Sequence, residues 1–318
     1  MRKYLELFLK GLAMGAANVI PGVSGGTIAF VTGIYDELIS SLKAFNMDAI
    51  KLLFTLRIKE FLRHINAPFL LTLFSGAILG IFSLGKLFKW VISLDRFTGT
   101  ETIKHGYEPL LFALFFGLIL ASVYYVGKTI KKCNYKTILA GLIGMTLAIA
   151  LVLIKPVSEN DNTLYLFLCG IVAMSSMLLP GLSGSFVLIL MGNYYLIMID
   201  SVQNLNGKVL GIVGLGAIIG FVILSRVISF LLDKFEGVTI SSLTGFIFGS
   251  LVTIWPWKDV VRETVKKGDN LKEVIVGYSN WHLPELNSFN LLLMIMMAFG
   301  FLLVWGVEFV GNISKKKN

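Results

Sequence analysis

Six apolar stretches in this sequence are each long enough to cross a lipid bilayer, and this feature limits the fold more than any other. A transmembrane helix needs about 20 predominantly apolar residues. Charged residues make up only 15% of the chain, whereas a soluble domain carries about a quarter. We therefore predict an all-α polytopic membrane protein. The predicted spans cover residues 69–92, 109–127, 137–154, 209–231, 239–256 and 289–311.

Two pairs of shorter apolar segments are each interrupted by a similar motif. The first motif reads Asn18-Val-Ile-Pro-Gly-Val-Ser-Gly-Gly-Thr27, and the second reads Met177-Leu-Leu-Pro-Gly-Leu-Ser-Gly-Ser-Phe186. Their Pro, Gly, Ser and Gly recur at an offset of 159 residues, as do a glycine and a tyrosine that follow each motif. Because each segment is about half as long as a span, we predict two re-entrant hairpins with broken helices.

The likeness between the two halves of the chain extends beyond these motifs. Gly76-Ala-Ile-Leu-Gly80 returns as Gly216-Ala-Ile-Ile-Gly220, and Lys86 aligns with Arg226. Glycines spaced four residues apart on full spans are typical of close helix packing in membranes. The sequence therefore indicates two copies of one unit.

Each predicted unit contains one hairpin followed by three spans. The first repeat covers residues 1–156 with its hairpin at 5–42, and the second covers 157–318 with its hairpin at 164–200. A hairpin returns to the side from which it enters, so each repeat makes an odd number of crossings. The second copy is then inverted relative to the first, which is typical of secondary transporters.

The distribution of positive charge predicts the orientation. With the N-terminus in the cytoplasm, the inside regions hold 17 of the 28 Lys and Arg residues, while 11 acidic residues balance the 11 outside. Cytoplasmic loops of membrane proteins carry this kind of excess. We expect both termini to be cytoplasmic, and we attribute the net charge of +9 to these loops rather than to a nucleic-acid partner.

Both motifs carry groups that suit a bound anion. A helix that begins at membrane depth presents backbone N–H groups and its positive dipole end, and serine and threonine add hydroxyl donors. Two hairpins that enter from opposite faces would bring two such tips together near the middle of the membrane. The candidate substrate-binding residues of the motifs are Asn18, Pro21, Gly22, Ser24, Gly25, Gly26, Thr27, Pro180, Gly181, Ser183, Gly184 and Ser185.

Three candidate residues have a second interpretation. Lys86 and Arg226 lie near span ends, where they either neutralise a bound phosphate or extend their side chains to the membrane surface. Asn18 either donates to a ligand or caps the broken helix.

One part of the first motif also matches an enzyme signature. Gly22-Val-Ser-Gly-Gly26 fits the Gly-x-Ser-x-Gly pattern of serine hydrolases, but that pattern needs a preceding strand and a histidine base. Here the flanks are apolar helices, and the three histidines lie in predicted loops. The two cysteines form no metal-binding or redox spacing. We therefore expect no enzyme, no cofactor and no resident metal.

The two motifs resemble the signatures of a known membrane family. Residues Gly15 to Tyr35 are similar to the start of bacterial and archaeal polyprenyl-phosphate transporters, and Leu179 to Phe186 resembles that family's second signature. The resemblance covers nearly the whole chain. It implies a translocase of the bacterial inner membrane that returns undecaprenyl phosphate to the cytoplasmic leaflet. H⁺ or Na⁺ is the candidate coupling ion.

Two other functions stay open from the sequence. An ion-coupled secondary transporter of a small soluble anion uses the same site chemistry, and a closed vestibule rather than a lateral opening would favour it. A non-transporting scaffold that binds cell-wall enzymes would show no difference between substitutions at the hairpin tips and on lipid-facing surfaces.

Overall fold

The computed structural model describes residues 2–18, 24–98, 108–130, 133–202, 204–267 and 270–316. Within these ranges the chain is mostly helical, as predicted. Two candidate residues of the first motif, Pro21 and Gly22, lie outside the described residues.

The described residues of the first half of the chain form eight helices, and three short ones follow the first motif. They are α1 (Arg2–Asn18), α2 (Gly25–Val31), α3 (Tyr35–Lys43), α4 (Met47–Phe54), α5 (Ile58–His64), α6 (Ala67–Thr98), α7 (Glu108–Gly127) and α8 (Tyr135–Leu153).

In the second half, the part of the chain that the structure describes forms four α-helices, a π-helical turn, a 3-10 turn and two strands. They are α9 (Thr163–Leu178), α10 (Gly184–Leu190), the π-helical turn Tyr195–Ser201, α11 (Gly207–Ser250), the 3-10 turn Leu251–Ile254, β1 (Asp259–Lys267), β2 (Asn270–Ser279) and α12 (Ser288–Lys316). The antiparallel β1–β2 hairpin was not predicted. It occupies a polar stretch between the last two predicted spans, where alternating valines favour strands.

Helix α11 is too long for a single crossing. Its 44 residues would extend about 66 Å at 1.5 Å per residue, more than twice the thickness of a hydrocarbon core. Phe235 interrupts it with a non-helical backbone (φ −135°, ψ 42°). We call the residues before Phe235 the first half of α11 and those after it the second half. The two halves lie where spans 209–231 and 239–256 are predicted.

By length and composition, four described helical segments are able to cross a membrane, or six if two bent pairs each count as one span. The bent pairs are α5 with α6, at 67°, and α10 with the π-helical turn, at 114°. The number and length of these apolar helices are those of a multi-pass membrane protein. Within the second hairpin, the helix is broken both before and after α10.

Glycines bring the long helices together in four pairs. Helix α1 packs on α6, α9 on the first half of α11, α7 on α12, and α8 on the second half of α11. An added Cβ at the contact glycines would collide with the backbone of the partner helix. The two helix backbones therefore lie in direct contact at these positions. These glycines include Gly15, Gly76, Gly117, Gly144, Gly170, Gly216, Gly245 and Gly300.

The four pairs occupy matching places in the two predicted repeats. The α1–α6 pair corresponds to α9 with the first half of α11. The other two pairs join the repeats, because α7 of the first packs on α12 of the second, while α8 of the first packs on the second half of α11. A shared core holds the first hairpin against α9 and α11, and it includes Tyr35, Leu38, Leu73, Leu178 and Ile228.

Candidate anion-binding site at the two motifs

The two motifs, 159 residues apart in the sequence, touch each other in the structure. The Gly181 N–H donates to Thr27 Oγ1 at 2.7 Å. Tyr35 Oη donates to the carbonyl oxygen of Leu178 at 2.8 Å. At Gly26, an added Cβ would lie 2.8 Å from the carbonyl oxygen of Met177, so this glycine permits the close approach. The first hairpin and the second motif therefore form one site.

The first tip, which we define as residues 24–27, is closed by hydrogen bonds of its own. Ser24 is the N-cap of α2, and its Oγ accepts from the Gly26 N–H at 3.1 Å. Asn18 Oδ1 accepts from the Gly25 N–H at 2.7 Å, which is the capping interpretation of this residue. Ser24 and Thr27 are each only 1% exposed. The first N–H groups of α2 are thus occupied by side chains of the protein.

The second tip, residues 180–185, is more open than the first. Ser183 is the N-cap of α10 but makes no side-chain capping bond, and its Oγ lies 2.7 Å from Ser185 Oγ. Both serines are half-buried, whereas Pro180 and Gly184 are buried. Two half-buried serines, bonded to each other, therefore follow Gly181, whose N–H makes the contact between the motifs.

A small cleft adjoins the second tip. Its polar lining comes from Ser183, Ser250 and Thr253, together with the backbone of Gly181, and its volume is about 10 Å³. This volume holds about one water molecule. The cleft is therefore polar but too small, in this conformation, for a phosphate group.

The two hairpins end in the same way. Gly33 (φ +69°) and Gly192 (φ +72°) both adopt the left-handed conformation that glycine alone reaches without strain. The carbonyl before each glycine receives a long side chain: Lys10 Nζ donates to Thr32 at 2.8 Å, and Tyr165 Oη donates to Met191 at 2.8 Å. The local structure of the hairpins therefore repeats even where the residues differ.

Asn193, directly after Gly192, ties the second hairpin to the loop that follows α8. It is fully buried, and its side chain accepts from the Asn160 N–H at 2.9 Å and donates to the Asn160 carbonyl at 2.7 Å. Replacement by alanine would remove both bonds, which contribute about 0.5–1.5 kcal/mol each, and would leave space unfilled at a fully buried position.

We expect Asn193→Ala to expose the loop at residues 154–162 to limited proteolysis and to lower the thermal unfolding temperature. The matched control is Asn204→Ala, which removes only an exposed contact with Asp200. Equal protease resistance of the two variants would show that the Asn193 bonds do not hold this loop.

Of the two basic candidates, the structure describes the side chain of Arg226 alone, and it does not join the motifs. Arg226 is exposed on the first half of α11 and forms no hydrogen bond or ion pair with the described residues. This position fits an extension of the side chain to the membrane surface. The backbone of Lys86 belongs to α6, but its side chain lies outside the described residues.

One apolar groove lies beside the polar cleft, and a second apolar groove adjoins the first. The first, of about 400 Å³, is bounded by α7, α8 and the end of α11, with Trp255 and Trp281 at its rim. The second, of about 380 Å³, lies between α7 and α12, and both grooves are lined by Phe116 and Leu120. Ser250 and Thr253 line the cleft, while Leu251, between them, lines the first groove. Residues 250–253 thus separate the polar cleft from the first apolar groove.

A profile of the family described as undecaprenyl phosphate translocase-like matches residues 14–271. The chain belongs to this family. A polyprenyl-phosphate transporter of Vibrio cholerae serotype O1 is 35% identical over 309 residues, which cover 96% of each chain. A polyprenyl-phosphate transporter of Staphylococcus aureus is 33% identical over 268 residues, which cover 78% of this chain and 85% of the relative. No solved structure matches the chain.

The family membership confirms the resemblance drawn from the two motifs, and with it the prediction of a transporter rather than an enzyme. In the part of the chain that the structure describes, no three His, Cys, Asp or Glu side chains lie close enough together to bind a metal ion.

Three residues that shape the site are not among those predicted from the motifs. Tyr35 joins the hairpins through its hydroxyl, and Ser250 and Thr253 line the cleft. A signal for the latter two was present, since the predicted span at 239–256 contains several hydroxyl side chains, which are costly in hydrocarbon unless they have partners.

Proposed function

We propose that this protein moves undecaprenyl phosphate across the bacterial inner membrane and returns it to the cytoplasmic leaflet. The observation that carries the proposal is the hydrogen bond between Thr27 and Gly181, which joins the two motifs beside an apolar groove. The curated relatives are named polyprenyl-phosphate transporters, which supports the same class of substrate.

The lipid phosphate, in this proposal, binds where the two tips meet. Ser183, Ser185, Ser250 and Thr253 supply hydroxyl donors, and the backbone of Gly181 and Gly184 allows close approach. Because burying a phosphate without such partners is very costly, the donors must act together. The first tip, with Asn18, Ser24, Gly25, Gly26 and Thr27, acts mainly as the wall that holds the second tip in place.

The polyprenyl tail occupies the apolar grooves, which favour a lipid over a small soluble anion. Both grooves are lined by helices that are long and apolar enough to cross a membrane, among them α7, α8 and α12. A lateral opening lets the tail stay in hydrocarbon while the charged head enters the cleft. A soluble anion would need a closed aqueous vestibule instead.

Transport requires the cleft to widen, because its present volume admits only about one water. We propose that one repeat rocks against the other about the contact between the tips, so that the cleft opens to each side in turn. The two hairpins end in the same backbone conformation, and the glycine contacts of one repeat have counterparts in the other. Both observations support two repeats of similar structure. The inverted arrangement, the cytoplasmic termini and a coupling H⁺ or Na⁺ belong to this proposal.

The experiment uses the full chain in vesicles that contain undecaprenyl phosphate, with an impermeant phosphatase outside to report which leaflet holds the lipid phosphate. We expect the double variant Ser183→Ala/Ser185→Ala to slow translocation by about tenfold or more, since hydrogen bonds to a charged group contribute about 1.5–3 kcal/mol each. The matched control is Ser75→Ala, whose exposed hydroxyl bonds only to its own helix.

Two outcomes would reject parts of the proposal. An unchanged rate in the folded double variant would reject the assigned phosphate site. Uptake of inorganic phosphate by the wild-type chain, without movement of the lipid, would instead favour the soluble-anion transporter.

A further inference from the structure

Helices α4 and α5, with residues 55–57 between them, form a small unit before α6, which we call the foot. Its own core consists of Ala49, Ile65 and Ala67, with Phe61 packed against them. Most of this core is alanine, so the foot buries little apolar surface. The larger apolar side chains of the foot are therefore not accounted for by burial in its own core.

The larger apolar side chains of the foot lie on its outside. Phe54 is 83% exposed and Leu56 is 82% exposed. Large exposed apolar side chains also occur at Met47, Ile50, Leu53, Ile58 and Leu62. Helices α4 and α5 contact each other, so these seven side chains belong to one small unit, whose apolar surface we call the patch. Such a surface is typical of contact with a membrane or another protein.

The base of the foot is fixed to the rest of the chain. Asn66, at the junction with α6, donates through Nδ2 to Glu37 at 3.2 Å and to Ser41 at 3.1 Å. His64, at the end of α5, lies 3.2 Å from Asn46, the N-cap of α4. These hydrogen bonds therefore hold the foot, and with it the exposed patch, in a fixed orientation relative to α3 and α6.

The angle between α5 and α6 inclines α5 toward the membrane plane. The two helices are bent by 67° at their junction. Because α6 contains a predicted span and spanning helices are tilted by about 20° on average, α5 lies at roughly 47–87° to the bilayer normal. Exposed apolar residues continue up α6 at Leu71, Phe74 and Ile78, so the patch leads directly into the lipid-facing surface.

Positive charge borders the apolar patch. The foot, residues 47–64, contains four Lys or Arg and two acidic residues, a net charge of +2. On α5, Ile58 and Leu62 form one exposed ridge, and Lys59 and Arg63 form the next. The two acidic residues pair within the foot, Asp48 with Lys51 and Glu60 with Arg57. An apolar face edged by cations fits the surface of an anionic bilayer.

We propose that the foot binds the headgroup region of an anionic bilayer, with Phe54 and Leu56 among the acyl chains and Lys59 and Arg63 at lipid phosphates. This contact is separate from the transport site and does not depend on the proposed substrate. The competing occupants of the patch, a second copy of the chain or another protein, are outcomes of the test.

The test places a fluorophore at position 54 of the full chain through Phe54→Cys, in a Cys133→Ser background, since Cys133 is exposed and Cys169 is buried. The control label is Glu60→Cys, on the opposite face of α5 from Ile58 and Leu62. Protein is inserted at one copy per lipid nanodisc of phosphatidylcholine, with or without phosphatidylglycerol. We expect iodide to quench the label at 54 several-fold less than the label at 60, most strongly with phosphatidylglycerol.

Equal quenching at both positions would overturn the proposal. Protection at 54 that appears only when several copies share a vesicle would also overturn it, in favour of contact between chains. The variant Lys59→Gln/Arg63→Gln is expected to weaken the phosphatidylglycerol-dependent protection by about fivefold per removed cation. The control Lys155→Gln/Lys208→Gln, which removes two charges elsewhere, should leave it unchanged, and equal loss in both would reject the role of the foot cations.

Discussion

Thr27→Val is expected to abolish most lipid translocation while the chain still folds. Valine has nearly the shape of threonine but lacks the oxygen that accepts the Gly181 N–H. Because this site is buried, an unpaired N–H costs about 1–3 kcal/mol, and the contact between the two tips becomes the weakest part of the interface. The rate is measured in vesicles by the loss of lipid phosphate from the outer leaflet, and the unfolding temperature is recorded alongside.

Thr32→Val is the matched control, because it makes the same change in the same hairpin. The Thr32 hydroxyl donates only to the Ile28 carbonyl of its own helix, and the Thr32 carbonyl that Lys10 contacts is kept. Thr27→Ser, which keeps the oxygen, should restore most of the rate. A Thr27→Val protein that transports at the wild-type rate would show that the bond between the tips is not needed.

The contact between the tips is also the part of the site that the sequence predicted best. The two motifs share spacing and length, which predicted that their tips would meet, and they meet through Thr27 and Gly181. The arrangement of two inverted hairpins at the middle of the membrane stays a prediction. The apolar stretches predicted helices because an apolar run of about 20 residues has few other structures available to it.

The sequence did not show that the two tips differ. Asn18 and Ser24 cap the first helix through bonds whose partners, Gly25 and Gly26, depend on how the broken chain closes. Ser183 carries the same residue type as Ser24, yet it makes no such bond and faces the cleft. Identical motif residues therefore have different surroundings, and only tertiary packing decides which hydroxyls stay accessible.

The β1–β2 hairpin and the foot were missed for a related reason. Both lie between long apolar stretches, where short segments have weak periodicity and tertiary contacts decide the structure. The apolar residues of the foot, such as Phe54 and Leu56, were hidden among lysines and arginines that the charge analysis assigned to an inside loop.

The largest effect on stability is expected from Gly216→Ala, compared with Gly214→Ala on the same helix. At Gly216 a methyl group would collide with the Phe167 carbonyl of α9, whereas at Gly214 nothing lies within 4 Å of the added carbon. Backbone cannot move aside as a flexible side chain does, so α9 and α11 must separate, and the neighbouring contacts at Gly170 and Gly220 weaken with them.

Overpacking of this kind costs about 1–3 kcal/mol or more, while alanine gains up to about 1 kcal/mol over glycine in a helix where space is open. We therefore expect Gly216→Ala to lower the unfolding temperature in detergent by several degrees and Gly214→Ala to leave it unchanged or raise it. Equal unfolding temperatures would mean that the α9–α11 contact is looser than the structure shows. Since α9 carries the second motif, a real separation of these helices would also move Gly181 away from Thr27, so the destabilised variant should lose transport as well.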